Sequence, residues 1–235
     1  MGDSMIAEQI PAPADVLERL LKERYSCRGY LPRPVETAKI MRILEIAQRT
    51  PSWCNAQPWK VVITRGAGTE RFRSEISSYA AGNAGEPDFA FPREYRGVYL
   101  ERRRECGFQL YQSVGVARGD REAASRQGME NFRLFGAPHA MIVTTEEALG
   151  VYGVLDCGAW VNNFMLAARS LGVAAIAQAA IARQGKFVRS YFRLPEERRI
   201  VCGMSFGYED AAHPANSFRT SRAAIDEGVV TWVDD

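Results

Sequence analysis

Arg24, Ser26 and Arg28 stand at alternate positions directly after an apolar helical stretch. Two guanidiniums and a hydroxyl within five residues suit a phosphate, because the guanidinium fork binds phosphate oxygens bidentately. The ordinary alternative is a solvated helix end. Some two dozen residues later, 51–59 read Pro-Ser-Trp-Cys-Asn-Ala-Gln-Pro-Trp. Pro51 and Pro58 oppose an extended helix, since proline lacks a donor and disfavours α geometry in the residue before it. The segment is therefore a stiff, irregular one that presents Ser52, Asn55 and Gln57. Planar heterocycles rich in acceptors are gripped in this way, with polar groups at the edge and apolar side chains over the face. A packed loop around a buried Trp is the competing reading.

Other residues invite chemistry and are better explained by structure. Cys54 has no basic neighbour to lower its thiol pKa, so a packing role is expected. Asp156 precedes a helical run and reads as an N-cap rather than a general acid. His139 follows Pro138 at the start of a strand and reads as structural. The run 101–105, Glu-Arg-Arg-Arg-Glu, reads as an exposed helical face.

The two motifs do not stand alone. Further on come Gly-Val-Leu-Asp-Cys-Gly (153–158) and Asn-Asn-Phe-Met-Leu-Ala-Ala-Arg-Ser-Leu-Gly (162–172). Ala-Gln-Ala-Ala (177–180), Arg-Arg-Ile-Val-Cys-Gly-Met-Ser-Phe-Gly-Tyr (198–208) and Asn-Ser-Phe-Arg-Thr-Ser-Arg (216–222) follow. This ordered set covers nearly the whole chain and resembles the flavin-dependent nitroreductase family, in its nitrobenzoate- and nitroaromatic-reductase-like branch. Ala177 departs from it, as members often carry Pro there.

The resemblance implies FMN bound at a homodimer interface. Carried over by position, Arg24, Ser26 and Arg28 would meet phosphate and ribityl. Pro51, Ser52, Trp53, Asn55 and Gln57 would meet the flavin, partly from the other subunit. Gln178, Ala179, Ala180 and Ile181 would lie near the N5 edge. Arg222 would return to the phosphate, with Arg219 a second candidate. No residue of the chain need be catalytic in itself, because the flavin carries the redox chemistry and the protein supplies binding and electrostatics. The implied reaction is ping-pong: hydride from NADPH or NADH, then reduction of a small nitroaromatic to nitroso and hydroxylamine products. Phe89, Phe91, Tyr95, Phe132 and Phe135 are candidates for the walls of a flat substrate slot, with ordinary core packing the alternative. The same superfamily includes reductive dehalogenases and flavin-fragmenting enzymes, and a flavin-binding protein without turnover is a further reading. Residues 82–94 carry no clear lid signature.

Composition removes other classes. The chain has 235 residues, 46% hydrophobic and 25% charged, with a net charge of +2. That charge is too small to argue for nucleic acid or an anionic membrane. The cysteines at 27, 54, 106, 157 and 202 show no CxxC spacing. Their odd number, without a signal-peptide pattern, leads us to expect reduced thiols and a cytoplasmic protein. Isolated His139 and His213 give no zinc site. No apolar run is long enough to span a bilayer, and neither a Walker loop nor GxGxxG occurs.

The elements that must position these residues follow from periodicity. Helices are expected from Asp15 and from Thr37, over 70–80, 95–117 and 121–135, and from Asp156 to Gly172. Strands are expected at 59–64, 140–145, 173–176 and 200–206. The segment Val-Val-Thr-Trp-Val at 229–233 should add a further strand, exchanged in a dimer to hide its edge. Helices outnumber strands without strict alternation, which argues an α+β fold with a central mixed sheet flanked by helices. We expect one domain over 1–235, with 82–135 inserted as a loop and helices over the active site.

Overall fold

The computed structural model describes residues 11–233. In chain order the elements are α1 (Pro13–Glu23), α2 (Thr37–Ala47), β1 (Lys60–Ile63), α3 (Ala67–Gly82), α4 (Gly97–Ser113), α5 (Arg121–Met129), β2 (His139–Glu146), α6 (Gly150–Ser170), β3 (Ala174–Gln178), α7 (Ala179–Ala182), α8 (Gly185–Tyr191) and β4 (Arg198–Gly207). Short 3-10 turns fall at Trp53–Asn55, Leu134–Gly136, Glu147–Leu149 and Pro214–Asn216.

The four strands form one sheet in the order β1-β2-β4-β3, every pair antiparallel. The expected mixed sheet is thereby corrected. The parallel component among the described residues is a single bridge, Ser26 to Ala175, which lays the segment after α1 along the β3 edge.

Side chains alternate across a strand, so adjacent residues face opposite layers. Met141 and Val143 of β2 pack with Ile43 of α2 and with Trp160 and Phe164 of α6. Ala140 and Ile142 point the other way, to Phe72 and Ile76 of α3 and Val188 of α8. Helices therefore cover both faces, and β2 is buried along nearly its whole length. His139 is buried at the start of β2, where Nε2 accepts from the Val35 amide at 3.0 Å and Nδ1 lies 3.1 Å from the Thr64 carbonyl. Its role is structural, as expected, and burial lowers its pKa from the usual value.

Helix α6 begins six residues before the expected start. Gly153 resembles a break in sequence but sits inside the helix, where a Cβ would lie 2.4 Å from Thr145 Oγ1. The close approach of helix to strand requires glycine there. Asp156 is consequently not an N-cap. Similarly, Asp15 and Thr37 lie inside the first turns of α1 and α2, behind Ala12 and Glu36.

Residues 229–233 form no strand. Trp232 is 82% exposed, and Ile225, Val229 and Val233 are exposed as well.

Residues 83–96 form the link between α3 and α4, and its first half is fixed. The buried Asp88 carboxylate pairs with Arg189 and with Arg199 at 3.7 Å, and accepts from the Ile200 amide at 2.7 Å. Glu86 accepts from the Lys186 amide at 3.1 Å.

A cationic cleft and a strained polar loop

Beyond α1 the chain runs extended. Ser26 bridges to Ala175 and Tyr30 to Glu209. Extended geometry turns alternate side chains to one side, so Arg24, Ser26 and Arg28 face the same space while Cys27 is buried behind them. Spacing by two, rather than proximity within five residues, is what makes the motif a surface.

Asn216 locks this segment to the carboxy-terminal region. Its Oδ1 accepts from the Arg28 amide at 2.7 Å, and its Nδ2 donates to the carbonyls of Gly29 and Asp210, both at 2.9 Å. The clamp delivers Arg219 and Arg222 to the same place. Arg219 lies over the Tyr25 ring at 3.5 Å, and the Tyr25 hydroxyl donates to Glu209 at 2.8 Å.

The result is a cleft of about 650 Å³ lined by Arg24, Ser26, Arg28, Arg219 and Arg222. Sequence reasoning missed Glu18, Leu21, Lys22, Tyr25, Cys106, Asn162, Phe218 and Thr220, which complete its wall. Cys106 and Asn162 come from α4 and α6, and nothing in their local sequence signals it.

The electrostatics are those of an anion site: four guanidiniums and Lys22 line the cleft, and its one carboxylate, Glu18, pairs with Lys22. Burial holds Arg24 below the usual guanidinium range, and the Arg222 charge adds to the effect. Burial lowers Arg28 likewise. Arg24 Nε is buried with no hydrogen-bond partner. A buried donor left unmatched costs about 1–3 kcal/mol, more when charged. An anion with several acceptor oxygens matches what is missing, and the residues present therefore fit the phosphate of FMN.

The 51–57 loop lies elsewhere. Cys54, Asn55 and Gln57 adopt φ of 49°, 54° and 48°, a left-handed geometry that costs L-residues roughly 1–2 kcal/mol each. Local bonds hold it: Ser52 Oγ accepts from the Gln57 amide at 2.9 Å, and Gln57 Nε2 donates to Asn55 Oδ1 at 3.2 Å. Gln48 Nε2 donates to Gln57 Oε1 at 2.9 Å. The Trp53 amide donates to the Asp156 carboxylate, and the Trp53 ring meets Tyr152 edge-on at 4.3 Å. The loop, which connects α2 to β1 and rests on α6 through Asp156, has Pro51, Asn55 and Gln57 exposed. Cys54 is exposed too, so packing within the chain does not account for it. None of residues 51–57 lines the arginine cleft. One chain does not bring the two motifs together.

Of the third group, Ala179 is exposed and Ala180 half-buried at the turn from β3 into α7. The side chains of Gln178 and Ile181 turn inward instead. Gln178 Nε2 donates to the Asn131 carbonyl at 2.8 Å, and its Oε1 accepts from Ser205 at 2.6 Å. Ile181 is fully buried against Gly203, where a Cβ would sit 2.6 Å from the isoleucine side chain. Both side chains are committed to the core, so only the backbone and the two alanines there face outward.

The five aromatics divide. Phe132 and Phe135 are buried in the core, which corrects their assignment to a substrate wall. Phe89 is half-buried, while Phe91 and Tyr95 are exposed beneath the guanidiniums of Arg183 and Arg103 at 5.7 and 5.1 Å.

Comparison with known proteins agrees with this geometry. The sequence model of the Nitroreductase family matches residues 21–208. A 4-nitrobenzoate reductase of Nocardioides sp. (strain LMS-CY) is 31% identical over 227 residues, 94% of this chain and 92% of that one. Nitroreductase NfnB of Mycolicibacterium smegmatis is 31% identical over 216 residues, 91% of this chain and 92% of its own. The crystal structure of the FMN-dependent nitroreductase NfnB from Mycobacterium smegmatis in complex with NADPH superposes with a TM-score of 0.89 at 29% identity, covering 94% of this chain and 99% of that one. An arginine cleft, a polar loop between α2 and β1 tied to α6, and relatives matched over more than nine-tenths of the chain lead to one conclusion: the chain belongs to the nitroreductase family.

Proposed function

We propose that this protein is an FMN-dependent oxidoreductase that takes hydride from NADPH or NADH and reduces small nitroaromatics. The observation that carries the reading is the convergence of Arg24, Ser26 and Arg28 with Arg219 and Arg222 in one cleft, with Arg24 Nε buried and unmatched. FMN, when bound, supplies two-electron chemistry at its N5. The chain does the rest. Arg24, Arg28, Arg219 and Arg222 hold the phosphate, and Ser26 meets phosphate or ribityl. The exposed turn at Ala179 and Ala180 borders the flavin without a bulky side chain. Each round consumes one hydride and one proton: the nitro group loses an oxygen as water to give nitroso, and a second round gives hydroxylamine.

The protein works as a homodimer in this reading. The polar loop carrying Pro51, Ser52, Trp53, Asn55 and Gln57 serves the cleft of a second copy, because it does not reach the cleft of its own chain. The exposed apolar residues Leu17, Leu21, Val151, Leu155 and Trp232 fit an interface, as large exposed apolar patches commonly do. Five free thiols and no helix, among the described residues, long and apolar enough to cross a membrane support a cytoplasmic protein.

The test is spectroscopic. Purified protein is expected to be yellow, with flavin bands near ~370 and ~450 nm, and to bleach with NADPH and recover with 4-nitrobenzoate. Arg24→Ala and Arg222→Ala each weaken FMN by roughly ten- to a hundredfold, the value of a charge-assisted contact, whereas Arg103→Ala leaves it unchanged. Colourless protein that cannot be reconstituted with FMN overturns the reading.

A further inference from the structure

The link after α3 gives a partner to three cations of α7 and α8, and the partners differ in kind. Glu86 pairs with Lys186 at 3.0 Å, and Asp88 pairs with Arg189. Arg183 meets the ring of Phe91 instead, with its guanidinium carbon 5.7 Å from the ring centroid. No carboxylate pairs with it among the described residues. That distance is close to the outer limit of about 6 Å for a cation over a ring, so the contact is easily given up. A ring face also leaves the guanidinium its N–H donors, which remain available to an anion.

The place of Arg183 gives that free fork a meaning. Its amide donates to the Ala179 carbonyl at 3.0 Å, so the two residues lie one helical turn apart on the same face. Both are exposed, while Ile181 and Ala182 between them are buried. A Cα–Cβ bond on a helix tilts toward the N-terminus, so that of Arg183 leans back toward Ala179, the residue that borders the flavin in the reading above. Four residues of helix rise about 6 Å, a span comparable with one benzene ring and its substituents. The next residue, Gln184, is buried and holds the backbone of Arg183 in place.

Arg183 also stands apart from the side on which a second copy would dock. Ile181 of α7 and Val188 of α8 pack with Phe72 and Ile76 on one face of the sheet. Helix α6, with its exposed Val151 and Leu155 and the loop tied to Asp156, covers the other.

We propose that Arg183 is a specificity-determining residue of the reductase: it receives a carboxylate carried on the ring of the nitroaromatic and so favours nitroarene acids over neutral nitroarenes. The two oxygens of a carboxylate match the guanidinium fork, which a neutral amide does not. This inference rests on the flavin reading above and deepens it.

The experiment uses full-length, FMN-loaded protein. Benzoate and benzamide carry no nitro group to reduce, and each is titrated against the oxidised protein while the visible flavin spectrum is followed. Wild type is expected to bind benzoate about tenfold more tightly than benzamide, between the value of an exposed ion pair and that of a buried bidentate one. Arg183→Gln is expected to abolish this preference and to leave benzamide and FMN binding unchanged. Arg183→Lys, which keeps the charge without the fork, is expected to restore part of it. In turnover, Arg183→Gln should raise KM for 4-nitrobenzoate about tenfold at constant kcat, the mark of lost uniform binding, and leave 4-nitrobenzamide as it was.

Equal binding of the two ligands by wild type overturns the proposal, as does a preference for benzoate that survives Arg183→Gln. An Arg183→Gln variant that instead raises KM for NADPH, and not for NADH, also overturns it, because the guanidinium then serves the 2′-phosphate of the donor. A fall in dimer content by light scattering does the same, since Arg183 would then be a subunit contact. Each of these leaves the flavin reading intact, whereas protein that takes up no FMN overturns both.

Discussion

The carboxylate of Asp156, on α6, accepts from the Trp53 amide at 3.2 and 3.3 Å through its two oxygens. Three left-handed residues follow Trp53 closely, and a backbone held in that region persists only where its surroundings determine it. Asp156 is thus an anchor that sets where the loop begins. Asp156→Ala should leave the chain folded and weaken flavin binding by about fivefold, the equivalent of about 1 kcal/mol for one partly exposed hydrogen bond. Asp156→Asn keeps an acceptor oxygen and should recover most of that loss. Flavin titrations in which both variants match wild type, or both fall equally, would remove the anchor from the account. At this scale the sequence was legible in residue type. The arginines, the serine and the amides of the loop stood out because few roles other than polar recognition suit them in those surroundings. The sequence does not show which side of the chain faces the core, so it did not reveal that the side chains of Gln178 and Ile181 turn inward and leave the backbone to face out. Their neighbours Ala179 and Ala180 kept the outward face that the two larger side chains gave up.

Among the elements, strands were read within a residue or two, since the buried runs at 60–63 and 139–146 carry β-branched and apolar side chains bounded by turns. Helix starts were read less well. The case of α6 is instructive: Val151, Tyr152 and Leu155 are apolar yet exposed, and Gly150 and Gly153 suggest a break. The contact of Gly153 with Thr145 that explains the glycine exists only in three dimensions. The link from α3 to α4 shows the same limit. Its glycines and prolines read as a loop, and its fixed half depends on Asp88 reaching arginines about a hundred residues ahead. Removing one partner of a buried ion pair costs roughly 3–5 kcal/mol. Asp88→Ala should fall at the lower end, because Arg199 keeps part of its access to solvent. The loss should appear as a lower denaturation midpoint at unchanged slope. A midpoint within experimental error of wild type would mean that the link is held by something other than Asp88.

For the molecule as a whole, the decisive observation is spatial separation. The arginine cleft and the polar loop are both complete in one chain, and the one does not reach the other. Sequence order cannot reveal this, because both motifs read the same whether they serve one site or two. The carboxy-terminal residues present the matching problem: 229–233 were expected to pair as a strand, and in the single chain they pair with nothing while Trp232 stays 82% exposed. Deleting residues 224–235 should lower dimer content and flavin occupancy together, as read by light scattering and by the absorbance ratio of flavin to protein. A truncated chain that remains a flavin-loaded dimer would show that the tail has no share in either.

The unmatched Nε of Arg24 has a practical consequence for handling the flavin-free protein. A solute that binds the folded chain and not the unfolded one raises stability by mass action, and orthophosphate offers the oxygens that Arg24 Nε lacks. The flavin-free chain should therefore melt at a higher temperature in phosphate buffer than in chloride at equal ionic strength, and should take up flavin more weakly there. Identical melting in the two would mark the cluster as indifferent to anions. The choice of buffer then amounts to the choice of a surrogate ligand, one that protects the empty protein and competes with the cofactor meant to fill it.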